Sequence, residues 1–311
     1  MNDMTQQEKF DLIVNEVNSL IPEEAKDECE VIVNEVVKDN DTRLHGIMIK
    51  YPGRNVFPTL YLEDLAEDLD NGVSVTDIGY NVLAMSLMRA PEPCMIDDFS
   101  YDGIKQNLRI FVVEEKRNKD RLSNTVHKSI DCGFALMACI VVEDGEGGVL
   151  RLPVTKDMAY ANAYDIEELL ARAMSNTMME FEPRLSGLLD LSTSRDEPTY
   201  SFRNKNPMEE EFEFDDSDIM YVLSNQHYFH GATVLFYPDV KPRIAELIGE
   251  NFYILPSSVH EIILVPESRS PKLNELRRMV LSANRDVVDP RDVLSDKVFL
   301  YEKCSGMMMA V

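Results

Sequence analysis

The sequence has no tryptophan, so methionine (17 residues), phenylalanine (13) and tyrosine (12) must fill the large positions of any core. It has no long apolar run either. The longest, Phe134 to Val142, is far short of the roughly 20 residues a membrane-crossing helix needs, and it reads as a buried strand. The first residues, Met1-Asn2-Asp3-Met4-Thr5, have neither a basic nor an apolar stretch and do not read as a signal peptide. The expectation is a cytoplasmic protein.

Positive charge is scarce. Against 56 acidic residues stand 31 Lys and Arg, a formal net charge of -25. Such a surface repels phosphate backbones and anionic headgroups, so neither nucleic acid nor membrane is expected as a partner. The densest basic stretch, Lys116-Arg117-Asn118-Lys119-Asp120-Arg121, follows Glu114-Glu115 and contains an acid of its own, so it reads as a solvated helix face.

Cysteine is sparse and unpaired in spacing. Cys29, Cys94, Cys132, Cys139 and Cys304 are odd in number and form no Cys-x-x-Cys, which excludes a zinc knuckle and a disulfide framework. All five read as reduced thiols. Several phosphate, nucleophile and metal motifs are also missing: Gly-x-Gly-x-x-Gly, the Walker loop, Gly-x-Ser-x-Gly and His-Glu-x-x-His. His260-Glu261 begins the last of these, but position 264 is Leu. Asp39-Asn40-Asp41 begins like a calcium loop, but Arg43 and Leu44 occupy a ligand and a glycine position, leaving a turn. No cofactor is expected.

What is present is a periodic, 44% hydrophobic chain of 311 residues, enough for a sizeable core and for two domains. Residues 5–21 read as an amphipathic helix opened by a Thr5/Glu8 capping box and ended by Pro22. Strands are expected over 30–37, 44–51, 56–62, 108–113, 134–142, 149–153, 219–223, 252–255, 261–265 and 297–301. Helices are expected over 62–69, 74–90, 115–123, 165–177, 238–249 and 271–283, with a short one over 185–191. The fold class is α+β: mixed sheets of short strands with helices packed against them. Residues 1–128 and 129–311 read as two α+β regions, or as one continuous domain. The stretch 192–218 is polar and aperiodic, with seven acids and no base between Glu209 and Asp218, and reads as a mobile loop.

Three groups of residues could carry chemistry. Ser257, Ser258, His260 and Glu261 offer nucleophile, base and carboxylate close together, but triads are assembled in space, and the plainer reading is a turn after Pro256 capped by serine side chains. His227 and His230 would share a face on a helix and could bind a metal, yet no nearby acid completes a ligand set. Asp102, Glu114 and Lys116 have the acid, acid-x-Lys order of metal-dependent nucleases, which the net charge opposes.

From about residue 50 onward the chain resembles a family of uncharacterised bacterial proteins, common in Gram-positive gut bacteria and known only as a domain of unknown function. The resemblance is carried by Pro58-Thr59-Leu60-Tyr61-Leu62, by Met220-Tyr221-Val222-Leu223-Ser224-Asn225, by Gly231-Ala232 and above all by residues 252–261, Phe-Tyr-Ile-Leu-Pro-Ser-Ser-Val-His-Glu. The chain is similar, more distantly, to a second uncharacterised family with the same late strand–helix–strand order. Neither likeness implies an activity; together they imply a bacterial cytoplasmic protein. The leading expectation is a non-enzymatic binding or regulatory protein whose partner is a protein or a small molecule. The alternative is a hydrolase built on His260 and Glu261, and behind it the nuclease.

The charge balance gives the first prediction. In a gel mobility assay at physiological salt the protein leaves duplex DNA unshifted, and a salt-sensitive shift would refute the reading.

Overall fold

A computed structural model of the chain describes residues 4–52, 57–88, 98–143, 149–187, 206–209, 219–256 and 258–311. Cys94, Ser257 and all of the acidic stretch 192–218 except 206–209 lie outside the described residues. The chain divides into two compact units. One comprises Met1–Lys38, Thr42–Asp98 and Val142–Leu150; the other comprises Asp39–Asp41, Phe99–Val141 and Arg151–Val311. Residues 99–128 therefore belong with the C-terminal part of the chain. No helix among the described residues is long and apolar enough to cross a membrane.

The first unit opens with α1 (Gln6–Leu20). The Thr5 hydroxyl accepts the Glu8 N–H at 3.3 Å, and the Glu8 carboxylate accepts the Thr5 N–H at 2.7 Å, so the capping box read from the sequence is formed. Strands β1 (Glu30–Val37), β2 (Arg43–Lys50) and β3 (Leu60–Tyr61) form an antiparallel sheet in that order. The strand expected over 56–62 shrinks to two described residues, because Leu62, Leu65, Ala66 and Leu69 recur at helical spacing and start α2 (Leu62–Asp70). In α3 (Val75–Met88), Ser74 Oγ accepts the Asp77 N–H at 3.1 Å at the start. Phe10, Ile13 and Val17 of α1, the buried face of α2, and Ile78 and Val82 of α3 close one core over Ile47 and Ile49 of β2.

The second unit is built on two antiparallel sheets. After α4 (Tyr101–Ile104) comes β4 (Leu108–Glu114), then α5 (Lys119–Ser123), β5 (His127–Ile130), β6 (Phe134–Glu143) and β7 (Val149–Pro153). The far ends of β6 and β7 are counted with the first unit. Strand β6 is the centre: β4 pairs along one side of it, and β5 and β7 also pair with it. Phe134 to Ile140 are buried without alternation, as expected of a strand covered on both faces. After α6 (Lys156–Ala161), helix α7 (Ile166–Glu180) is capped by Asp165, whose carboxylate accepts the Glu168 N–H at 3.0 Å. Its buried Thr177 accepts the Ile110 N–H at 2.8 Å, tying α7 to β4.

The larger sheet has six strands. They are β8 (Pro183–Gly187), β9 (Tyr221–Asn225), β10 (Phe252–Leu255), β11 (Ile262–Pro266), β12 (Phe299–Glu302) and β13 (Met307–Ala310). Their order is β13-β12-β10-β11-β9-β8, with every pair antiparallel. Phe252 faces Tyr301 across β10 and β12, their rings stacked at 5.1 Å. Helix α8 (Val240–Ile248) ends at Gly249, whose φ of 86° closes it as the sequence suggests. Leu276 and Val280 of α9 (Leu273–Asp286) pack with Leu255, Val265 and Val298. Of the segment 185–191, residues 188–191 lie outside the described residues; Leu185, Ser186 and Gly187 pair with Tyr221–Leu223 as part of an edge strand, where the buried partner overrides the local preference.

The turn Asp39-Asn40-Asp41 is a hub of the second unit. Asn40 and Asp41 adopt φ of 60° and 51°, a region that Asn and Asp tolerate. Asp39 is 8% exposed and lies between two guanidiniums: Arg121 Nε at 2.9 Å and the Arg151 Nη2 group, in closer contact still. The Arg151 guanidinium in turn covers the Phe111 ring at 5.3 Å. Asn40 donates to the carbonyls of Pro290 and Val293 at 2.8 and 2.7 Å and accepts from Asn118 Nδ2. Asp41 accepts the Asp120 and Arg121 N–H groups, both at 2.9 Å.

Removing the acid takes away the carboxylate that both buried guanidiniums contact. Asp39→Ala is expected to cost about 3 kcal/mol in urea unfolding, against about 1 kcal/mol for the surface cap variant Thr5→Ala. Equal losses for the two would refute the hub.

Candidate functional site

The segment from Pro256 to Glu261 links β10 to β11, and the side chains of Ser258 and His260 are held mostly by main chain. Ser258, 8% exposed, accepts the His260 N–H on its hydroxyl at 3.0 Å. Ser224 of β9 donates its hydroxyl to the His260 carbonyl at 2.7 Å. Gly231 sits against the same point: an added Cβ would meet Ser224 Oγ, lie 2.5 Å from the His260 oxygen and 2.8 Å from the Asn225 nitrogen. Only glycine fits there.

Both nitrogens of the His260 ring are engaged. Nε2 lies 3.5 Å from Asp292 Oδ2; Nδ1 lies 3.2 Å from the Tyr228 carbonyl and 3.3 Å from the His230 N–H. One nitrogen cannot donate and accept at once. Charged His260 donates to Tyr228 and Asp292; the neutral form protonated on Nε2 accepts from His230 instead. The hydrogen bond and charge of Asp292 raise the His260 pKa, against the opposing effect of burial. Glu261 is half-buried, forms no hydrogen bond or ion pair among the described residues, and has its carboxyl raised by burial with a smaller opposing pull from His260.

His230 is buried next to this turn in a left-handed conformation, φ 47°. Its ring packs on Phe111 at 4.6 Å, Phe229 at 4.7 Å and His260 at 5.3 Å. Burial holds it well below the usual imidazole range, and the charges of Arg151, His260 and Arg121 push the same way. Its Nδ1 has no hydrogen-bond partner among the described residues.

The other sequence candidates do not converge. Residues 226–230 form a turn, not a helix; His227 is exposed with its ring edge-on to Phe181, while His230 is buried. The shared helical face that a metal pair needs is therefore missing, and no group of three His, Cys, Asp or Glu among the described residues is placed to hold a metal. Asp102 is exposed and paired with Lys105 at 2.6 Å, ahead of β4. Glu114 ends β4, about 20 Å of strand beyond Leu108, buried against Ser295 at 3.0 Å, Lys297 at 3.1 Å and Arg117 at 3.3 Å. Lys116 is exposed in the following turn. The structure does not bring the nuclease residues together.

A concave site that the motif reading missed lies elsewhere in the second unit. It is a cavity of about 520 Å³ lined by the apolar Leu136, Phe236 and Met308 and by the polar Asp131, Cys132 and Lys241. Cys132 and Gly133 are consecutive left-handed residues, φ 66° and 81°, and the Cys132 thiol donates to the Met308 carbonyl at 3.1 Å. Lys241 donates to the Leu235 carbonyl at 3.1 Å and lies 5.0 Å over the Phe236 ring. Burial lowers its pKa, with Asp131 and Cys132 opposing. A signal existed in the sequence: Lys241 stands in the first turn of α8, where the helix dipole disfavours a cation.

A family model described as "Family of unknown function (DUF5688)" matches residues 10–303, and the chain belongs to that family. The match begins within α1, so it takes in far more of the N-terminal part than the resemblance read from residue 50. No curated protein and no solved structure matches the chain.

The Asp292 pair sets a pH dependence. His260 has a folded pKa above its unfolded value near 6.5, so its contribution is complete below about pH 6.5 and disappears as pH rises through the folded value. With both partners over a third exposed, it is worth about 1 kcal/mol at most. Asp292→Asn is expected to lower urea stability at pH 6 and to match the parent protein at pH 9; a loss that is larger at pH 9 would refute the assignment.

Proposed function

We propose that this protein is a non-enzymatic, cytoplasmic binding protein that takes up a small molecule in the cavity beside Lys241. One observation carries the reading: a concave site of about 520 Å³, inside the size range of small-ligand pockets, with both apolar and polar groups in its lining. The geometry of His260 weighs against the hydrolase alternative. A general base needs a ring nitrogen turned to its nucleophile, but Nδ1 faces main chain and Nε2 faces Asp292. The described serine hydroxyls beside it, Ser258 and Ser224, serve the His260 backbone.

The test is to purify the full chain from its native cell, denature it, and identify released compounds by mass spectrometry. The expected result is one compound in near-stoichiometric amount, lost from a Met308→Trp variant that fills the cavity and kept by His260→Ala. His260→Ala should instead lose about 1–2 kcal/mol of stability, because it leaves backbone partners unsatisfied. Retention of the compound by Met308→Trp, or a stable His260→Ala protein that has lost it, would move the site away from the cavity.

A further inference from the structure

The cavity combines two features that restrict what can fill it. Its apolar lining is provided by Leu136, Phe236 and Met308. Its lining also holds the Lys241 ammonium, which donates to the Leu235 carbonyl and forms no ion pair among the described residues. An ammonium has three protons to give, and a cation drawn out of water needs a counter-charge. Asp131 lines the same cavity and acts on Lys241 through space, without reaching ion-pair distance.

Resting on the binding reading above, we propose that the cavity is a site for small amphipathic monocarboxylates, with the carboxylate on Lys241 and an apolar body against Phe236, Leu136 and Met308. A single charge is favoured on two grounds. Asp131, which lines the same cavity and acts on Lys241 through space, repels a second negative charge there. The chain's net charge of -25 disfavours approach of polyanions such as nucleotides. The volume suits an apolar body of medium size, an alkyl chain or an aromatic ring. The lowered Lys241 pKa agrees: carboxylate capture should weaken as pH rises through it.

The probes are octanoate and 3-phenylpropanoate, each paired with its primary amide, added to the full chain with ¹³C-methyl methionine and read by NMR at Met307 and Met308. Both resonances are expected to shift with the acids at least tenfold more tightly than with the amides. Lys241→Met should abolish that preference while keeping the melting temperature, and Lys241→Arg should retain it. The two acids separate an aliphatic from an aromatic body. Amides binding as tightly as acids, a preference that survives Lys241→Met, or no shift with either acid would each overturn the proposal. A neutral compound released in the mass spectrometry experiment would overturn it too, while leaving the binding reading in place.

Discussion

The second unit depends on how one carboxylate is compensated. Asp39 is buried between Arg121 and Arg151. The two guanidiniums held there have consequences for the neighbours. Arg151 lies over Phe111, the same ring that packs on His230, and its charge adds to burial in holding the His230 pKa low. The ring of His260, 5.3 Å from that of His230, is drawn toward the charged state by Asp292. Two histidines in ring contact are thus shifted in opposite directions by their surroundings.

The same economy of charge separates the two places where chemistry could occur. Among the described residues of the His260 turn, the polar groups other than Glu261 are occupied: serine hydroxyls on backbone, ring nitrogens on a carbonyl and a carboxylate. Such closure gives rigidity, and the contact of Gly231 with Ser224 and His260 shows how little slack remains. At the cavity the opposite holds. Cys132 is set in a left-handed turn, Lys241 keeps unused donors, and the space beside them is open.

Much of the architecture was legible because it rests on local rules. Thr5 with Glu8 fixed the start of α1, Gly249 the end of α8, and the unbroken run at Phe134 a central strand. Elements made by their partners were not legible. Met307–Ala310 has no alternation and becomes β13 only by pairing with β12, and Leu185–Gly187 are strand because Tyr221–Leu223 lie beside them. The same limit applies to function. The sequence drew attention to residues 256–261 by their chemical types, yet the roles of Ser258 and His260 depend on Ser224, Tyr228 and Asp292, which are remote in the chain. Leu136, Lys241 and Met308 come from distant segments and meet only in the folded unit, so no spacing rule could assemble the cavity.

The discontinuity of the two units bears on how the chain emerges during synthesis. Residues 39–41 are made first among those of the second unit, but Arg121 and Arg151 come much later. Until then the Asp39 carboxylate must stay hydrated, and the turn that carries it has no partners to hold its left-handed residues in place. The first unit is also incomplete until residues 142–150 have been translated. The first unit can therefore close once residue 150 has left the ribosome, while the second waits for strands that end at Ala310. A nascent chain stalled before residue 142 leaves both cores unfinished, which makes the order of translation itself a constraint on the fold.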